Sequence, residues 1–328
     1  LSHLITPFYD TISIEKQKEF YQMIELVATA ESVDQAKALI TAGIDVLYIG
    51  EDEFGLRLPA SFSQDEIAEI TEFAHKHGKK VRIALNFIMH NDRINKVVPY
   101  LKFLLETGVD SITIGDPGIV QLMRKNNISI PYFYDGQTLV TSARQINFWT
   151  KRGAAGAILA RELTYPELKA IADQVSVPAE VLVYGATCIH HSKRPLVQNY
   201  FHFVDSTEDS GKERGLFISE PKNKDTHYSI YEDINGTHIF ATNDVNLLPE
   251  LKTLADAGLT EWKLDGIFTK GDRYVSIAKL FVEAKSAIEK EQWTDVLAEK
   301  LNERLIALHP AERELDKGFY SKDPSEVQ

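Results

Sequence analysis

A chain of 328 residues, 44% hydrophobic and 26% charged, has enough apolar material for a sizeable core and the composition of an ordinary soluble globular protein. No apolar run reaches membrane-spanning length, and a single cysteine excludes an internal disulfide and suits a reducing cytoplasm, where the chain is expected. The formal charge of −12, from 36 basic and 48 acidic residues, argues against a wide nucleic-acid grip by this chain alone, because neutralising phosphates takes clustered Lys and Arg.

Residues 1–22 are polar and mixed, without the basic and apolar regions of a signal peptide. They read as an extension with a helix near residues 14–21, outside the active centre. From residue 24 a rhythm begins. A strand over 24–28 precedes a helix capped by Ser32 and ended by Gly43. A strand over 46–49 precedes a helix over 64–77, where Ser63 and Glu66 have capping-box spacing. Strands over 81–85, 111–114, 132–134 and 157–159 alternate with helices over 95–107, 117–125, 142–152 and 165–174. The seventh strand, over 180–184, contains the apolar run Val181, Leu182 and Val183. A long irregular stretch over 186–242 follows, with a hairpin turn expected at Asn235-Gly236. The rhythm then resumes with a helix over 245–257, a strand over 262–264 and a helix over 273–289. A surplus helix over 293–308 and a polar surface tail over 309–328 complete the chain.

Short apolar strands alternating with amphipathic helices specify a parallel sheet buried on both faces. Eight such units in this length favour a (β/α)8 TIM-like barrel over residues 23–308, with the insertion at 186–242 after strand seven. An open doubly wound sheet is the alternative. No Gly-x-Gly-x-x-Gly follows the first strand, which weakens dinucleotide binding. In a barrel the site lies at the C-terminal ends of the strands. That places Glu51, Asn86, His90, Asp116, Asp135, Gln137, Arg161, Glu162, Cys188 and Asp265 around the mouth, with the insertion folding over it.

Several chemistries are open to these residues. Cys188 is a nucleophile if His190 or His191 serves as its base, and otherwise a buried structural thiol. Cys188, His190, His191 and His202 are metal-ligand types, but their spacing matches no strong motif. Glu162, Asp116, Asp135 and Asp265 suit acid–base work, although an acid after a parallel strand often caps the next helix, as Asp116-Pro117 suggests. Arg57, Arg161 and Arg194 either fork onto a carboxylate or phosphate or pair with those acids. An iron–sulfur cluster normally takes four cysteines, so this chain cannot build one alone.

The stretch Glu180, Gly185, Ala186, Cys188, Ser192, Arg194, Asn199 and Tyr200 resembles the signature of peptidase family U32, the collagenase-like proteins. The segments 54–57, 86–92, 115–117, 159–163, 232–237 and 265–266 strengthen the resemblance, which runs from residue 24 to about 269. Pro195 and the stretch 214–221 stand where cluster-bearing members carry their other cysteines, so the chain resembles a short, cluster-free paralogue. The resemblance implies one of two activities. The first is a subunit role in tRNA wobble-uridine 5-hydroxylation. That system depends on prephenate and iron–sulfur biogenesis, so the implied partners are a cluster-bearing paralogue, tRNA through the complex and a small prephenate-like anion. The second is a cysteine-dependent peptidase. The residues expected to act are Cys188, His190, His191 and Glu162 in catalysis, and Arg57, Asn86, His90, Arg161, Arg194 and Asn199 in substrate binding, with no metal ligands and no cofactor held by this chain.

Overall fold

The computed structural model describes residues 23–90, 93–136 and 139–326. The extension at 1–22 with its expected helix, the mouth residue Gln137, and Asn91 and Asp92 of the family signature lie outside the described residues.

Eight parallel strands close into a barrel: β1 (Glu25–Thr29), β2 (Val46–Ile49), β3 (Lys80–Leu85), β4 (Ser111–Ile114), β5 (Tyr132–Tyr134), β6 (Ala154–Ile158), β7 (Ala179–Ser192) and the later β11 (Glu261–Leu264). β11 pairs in parallel with both β1 and β7, which excludes the open doubly wound sheet. The helices between strands are α1 (Val33–Ala42), α2 (Gln64–Lys76), α3 (Ile94–Thr107), α4 (Pro117–Lys125), α5 (Ala143–Thr150) and α6 (Tyr165–Ala172). Local chemistry sets their ends. The Ser32 hydroxyl accepts from Gln35 N, Ser63 and Glu66 form a reciprocal capping box, and Asp116 caps α4 ahead of Pro117.

Strand alternation sorts the side chains into two layers. Leu26, Leu47, Ile83, Ile112, Val183 and Leu264 face outward and pack with the helices in the main core. Val27, Val46, Tyr48 and Ala84 form a small apolar cluster, joined by Leu58, inside the barrel. The floor of the barrel is ionic. Arg82 reaches Glu180 at 2.8 Å and Glu261 at 2.5 Å, donates to Ser111 Oγ and stacks on Phe133. Taking these charges out of water costs several kcal/mol per ion, so the triad stands only because its members satisfy one another.

The stretch over 186–242, expected to be irregular, is structured. β7 continues past the barrel wall to Ser192 and pairs antiparallel with β10 (Gly236–Asn246), which pairs with β9 (Tyr228–Asp233) and, through β9, with the short β8 (Phe217–Ile218). These strands escaped the sequence reading because Thr187, Cys188, His190 and Ser192 lack an apolar face, and pairing rather than burial makes them strands. The hairpin at Asn235-Gly236 is as expected. Gly236 has φ +110° and a Cβ there would lie 2.0 Å from Ser192 O, so only glycine fits. α7 (Leu196–Phe203) follows β7 and has no buried residue.

Two further expectations are corrected. Residues 245–246, read as the start of a helix, belong to β10, and the helix α8 spans only Leu251–Asp256. α9 (Gly271–Glu289) and α10 (Asp295–Leu308) follow as expected. The tail, expected on the surface, adds β12 (Glu314–Asp316) in parallel to β10. It buries Arg313 on Asp244 at 2.6 Å, a pairing between residues far apart in sequence that no local pattern announces.

Candidate functional site

A cavity of about 300 Å³ opens at the C-terminal ends of the barrel strands, beneath the insertion. Seven of the expected site residues line it: Arg57, Asn86, Arg161, Glu162, Cys188, His190 and His191. Asp135 and Asp265, expected at the mouth, are there too. His90 is exposed and faces a neighbouring cavity with His191 and Lys193. Arg194, Asn199 and His202 are exposed and line neither, and Asp116 is committed to its helix cap.

The β2–α2 loop brings Arg57 to the wall. Asn86, at the end of β3 and 3% exposed, accepts from Leu56 N at 2.8 Å and donates to Asp135 at 2.7 Å, which holds the loop beside Arg57. Arg57 has φ +57°, a left-handed conformation that costs about 1–2 kcal/mol for a residue with a side chain. Its guanidinium makes no hydrogen bond or ion pair among the described residues. Arg161, after β6, donates to Ala186 O at 2.5 Å and approaches Asp265 at 3.4 Å. Arg161 is thus a partly committed cation and Arg57 an uncommitted one.

Sequence reasoning missed two residues. Lys263 projects from β11 into the cavity, 4% exposed, with Nζ 3.1 Å from the centre of the Tyr48 ring. It makes no hydrogen bond or ion pair among the described residues. Burial lowers its pKa to about 8, against the opposing pull of Glu180 and Asp265. The signal was available, since a lysine amid the apolar residues of a barrel strand is out of pattern.

The second is His238 on β10. In the alternation of β7, Cys188 should share a face with His190 and oppose His191. A bulge intervenes: Ile239 pairs with His190, whereas Phe240 pairs with Cys188, leaving Ile189 without a partner. Cys188 therefore joins the face that carries His191 and His238, whose rings stack 4.7 Å apart. His238 is fully buried, and its Nε2 is held by Asp233 Oδ1 at 3.0 Å. Its Nδ1 is buried without a hydrogen-bond partner among the described residues. Burial pushes the Cys188 thiol up, but His238, Arg57 and Arg161 together hold it below the ordinary thiol range. Burial disfavours the His238 imidazolium, yet Asp233 and the thiol raise it above the usual histidine value. The Cys188 thiol donates to the His190 carbonyl at 3.3 Å while the His190 side chain is exposed, so the buried imidazole on the same face as the thiol is His238.

The residues present do not fit a four-thiolate cluster. Cys188 is the sole thiol, Pro195 leads into α7, and the stretch 214–221, which includes β8, supplies none. Among the described residues no three His, Cys, Asp or Glu side chains are grouped to hold a metal ion, and no helix is long and apolar enough to cross a membrane.

A family model described as Peptidase family U32 matches residues 31–328. A Bacillus subtilis protein named tRNA hydroxylation protein P2 is 36% identical over 303 residues, covering 91% of this chain and 98% of that one. A second protein of that organism, tRNA hydroxylation protein P1, is 27% identical over 74% of this chain and 58% of its own length. An Escherichia coli protein named as a 23S rRNA 5-hydroxycytidine synthase is 26% identical over 82% of this chain but only 40% of its own length. The chain thus spans nearly all of the first relative and about half of the other two. With the barrel, the Cys188 segment and this match over nearly the full chain in agreement, the protein belongs to peptidase family U32.

Proposed function

We propose that this chain is the non-cluster subunit of a tRNA wobble-uridine 5-hydroxylation system, and that its barrel mouth binds a small carboxylate, of prephenate-like character, for a cluster-bearing paralogue. The observation that carries the reading is Arg57. A strained, uncommitted guanidinium lining a cavity of about 300 Å³, beside the half-committed Arg161, is suited to hold a small anion. The names of the relatives place RNA hydroxylation within the family. With a net charge of −12, this chain leaves the grip on tRNA to its partner. Nucleoside mass spectrometry of bulk tRNA from a strain lacking the gene tests the reading. The 5-hydroxyuridine signal should fall and return with the wild-type gene, and an unchanged signal removes the proposal.

The Asp233–His238 pair on the strand face that carries Cys188 favours a second reading, a thiol hydrolase in which His238 draws the proton from Cys188 and Asp233 orients the ring. Cleavage of denatured collagen by the wild type, abolished in Cys188→Ser, supports it. No cleavage by the wild type eliminates it.

A further inference from the structure

The anion pocket accounts for Arg57 and Arg161 but not for Lys263. A lysine ammonium inside a barrel ordinarily pairs with a carboxylate, because an unpaired buried charge is costly. Here the available carboxylates are taken. Glu180 is bound by Arg82, Asp265 is approached by Arg161 and accepts from Ile267 N, and Asp135 is held by Asn86. The Lys263 ammonium is left over the Tyr48 ring, in the same cavity that Arg57 lines. Burial without a paired carboxylate raises the share of neutral amine, which is a nucleophile, and Lys263 lines the cavity that a small bound acid would occupy.

We propose that Lys263 is an imine-forming amine, which condenses with the carbonyl of a small 2-oxo carboxylate whose carboxylate group is held by Arg57. The amine nitrogen forms a bond to the carbonyl carbon, and the carbon–oxygen π pair moves to the oxygen. Both amine protons then leave with that oxygen as water, giving a carbon–nitrogen double bond with no change of oxidation level. Near neutral pH the lowered pKa leaves Lys263 with a neutral-amine fraction on the order of a hundredfold above that of a surface lysine. The cavity limits the partner to a small acid, and the proposal rests on the anion-holding reading of this mouth.

The test uses the full purified chain, pyruvate as the probe and sodium cyanoborohydride to reduce any imine, with intact mass and peptide mapping as the readout. The expected result is one reduced adduct per chain, located on Lys263 and absent from Lys263→Arg. Localisation in the wild-type map keeps the result independent of whether that variant folds. No adduct, or label spread evenly over surface lysines, overturns the proposal. Calorimetry with pyruvate and with acetate separates the two levels. Binding of both acids without an adduct refutes the imine and leaves the anion pocket standing. Binding of neither refutes imine and pocket together.

Discussion

At the scale of single residues, the thiol and its imidazole are the most readily probed pair. Asp233 fixes His238 through Nε2 on the strand face that carries Cys188, and the neighbouring Arg57 and Arg161 add positive potential. A thiol whose pKa is held below its ordinary value exposes thiolate at lower pH, so alkylation of Cys188 by iodoacetamide should rise and level off at lower pH than for a free thiol. Replacing His238 with alanine removes the largest opposing influence on the burial effect, so the rise moves to higher pH. At pH 7 the rate should fall by up to roughly tenfold for every unit by which the thiol pKa rises. An identical pH profile in His238→Ala would show that the ring does not act on the thiol. The distinction between His238 and His191 was not legible in the sequence. Period-two alternation predicts the wrong face for Cys188, and only the bulge that passes over Ile189 corrects it.

Among the elements, β7 determines how the site is assembled. Its first half closes the barrel against β11, and its second half rises above the rim to pair with β10. The change of course occurs at Gly185, with φ +113°, where a Cβ would lie 2.2 Å from Asp265 O. The β9–β10 hairpin then folds back and latches onto the barrel through Asn235. That side chain is fully buried, accepts from Arg93 at 2.6 Å and donates to Asp52 O at 2.9 Å and Gly55 O at 3.2 Å. Asn235→Ala removes the amide that holds Asp52 O and Gly55 O and one of the acceptors of Arg93, a loss of about 1–3 kcal/mol confined to the latch. Amide hydrogen exchange should therefore accelerate in β9 and the hairpin end of β10 while β1 to β4 stay protected. Unchanged exchange in the hairpin would contradict the latch. The turn itself was legible because Asn-Gly demands a specific backbone, and the barrel strands were legible because burial on both faces writes them as short apolar runs. The upper half of β7 and the whole of β9 and β10 carry neither mark, since their polar side chains face a site and a latch.

Across the whole molecule, charge runs as a column through the barrel. The Arg82 triad forms the floor, Lys263 stands above it, and Arg57 and Arg161 occupy the rim, with the insertion as a cover pinned by Asn235 and the tail pinned by Arg313. The floor is internally satisfied and the rim is not, so stability resides below and binding capacity above. Unit count and strand pattern carried the fold from sequence to structure, and position at the strand ends carried Asn86, Arg161, Glu162 and the stretch from Cys188 to His191 into the cavity, which Arg57 joins from the β2–α2 loop. Lys263, His238 and the docked tail depend on contacts between distant segments and came only with the three-dimensional arrangement. The direct test of the account is rescue of the deletion strain with the double variant Arg57→Met/Arg161→Met, beside Arg304→Met as a surface control, with 5-hydroxyuridine in bulk tRNA as the readout. The account predicts that the control restores the nucleoside and that the double variant, at equal protein level, does not. Full restoration by the double variant would contradict it.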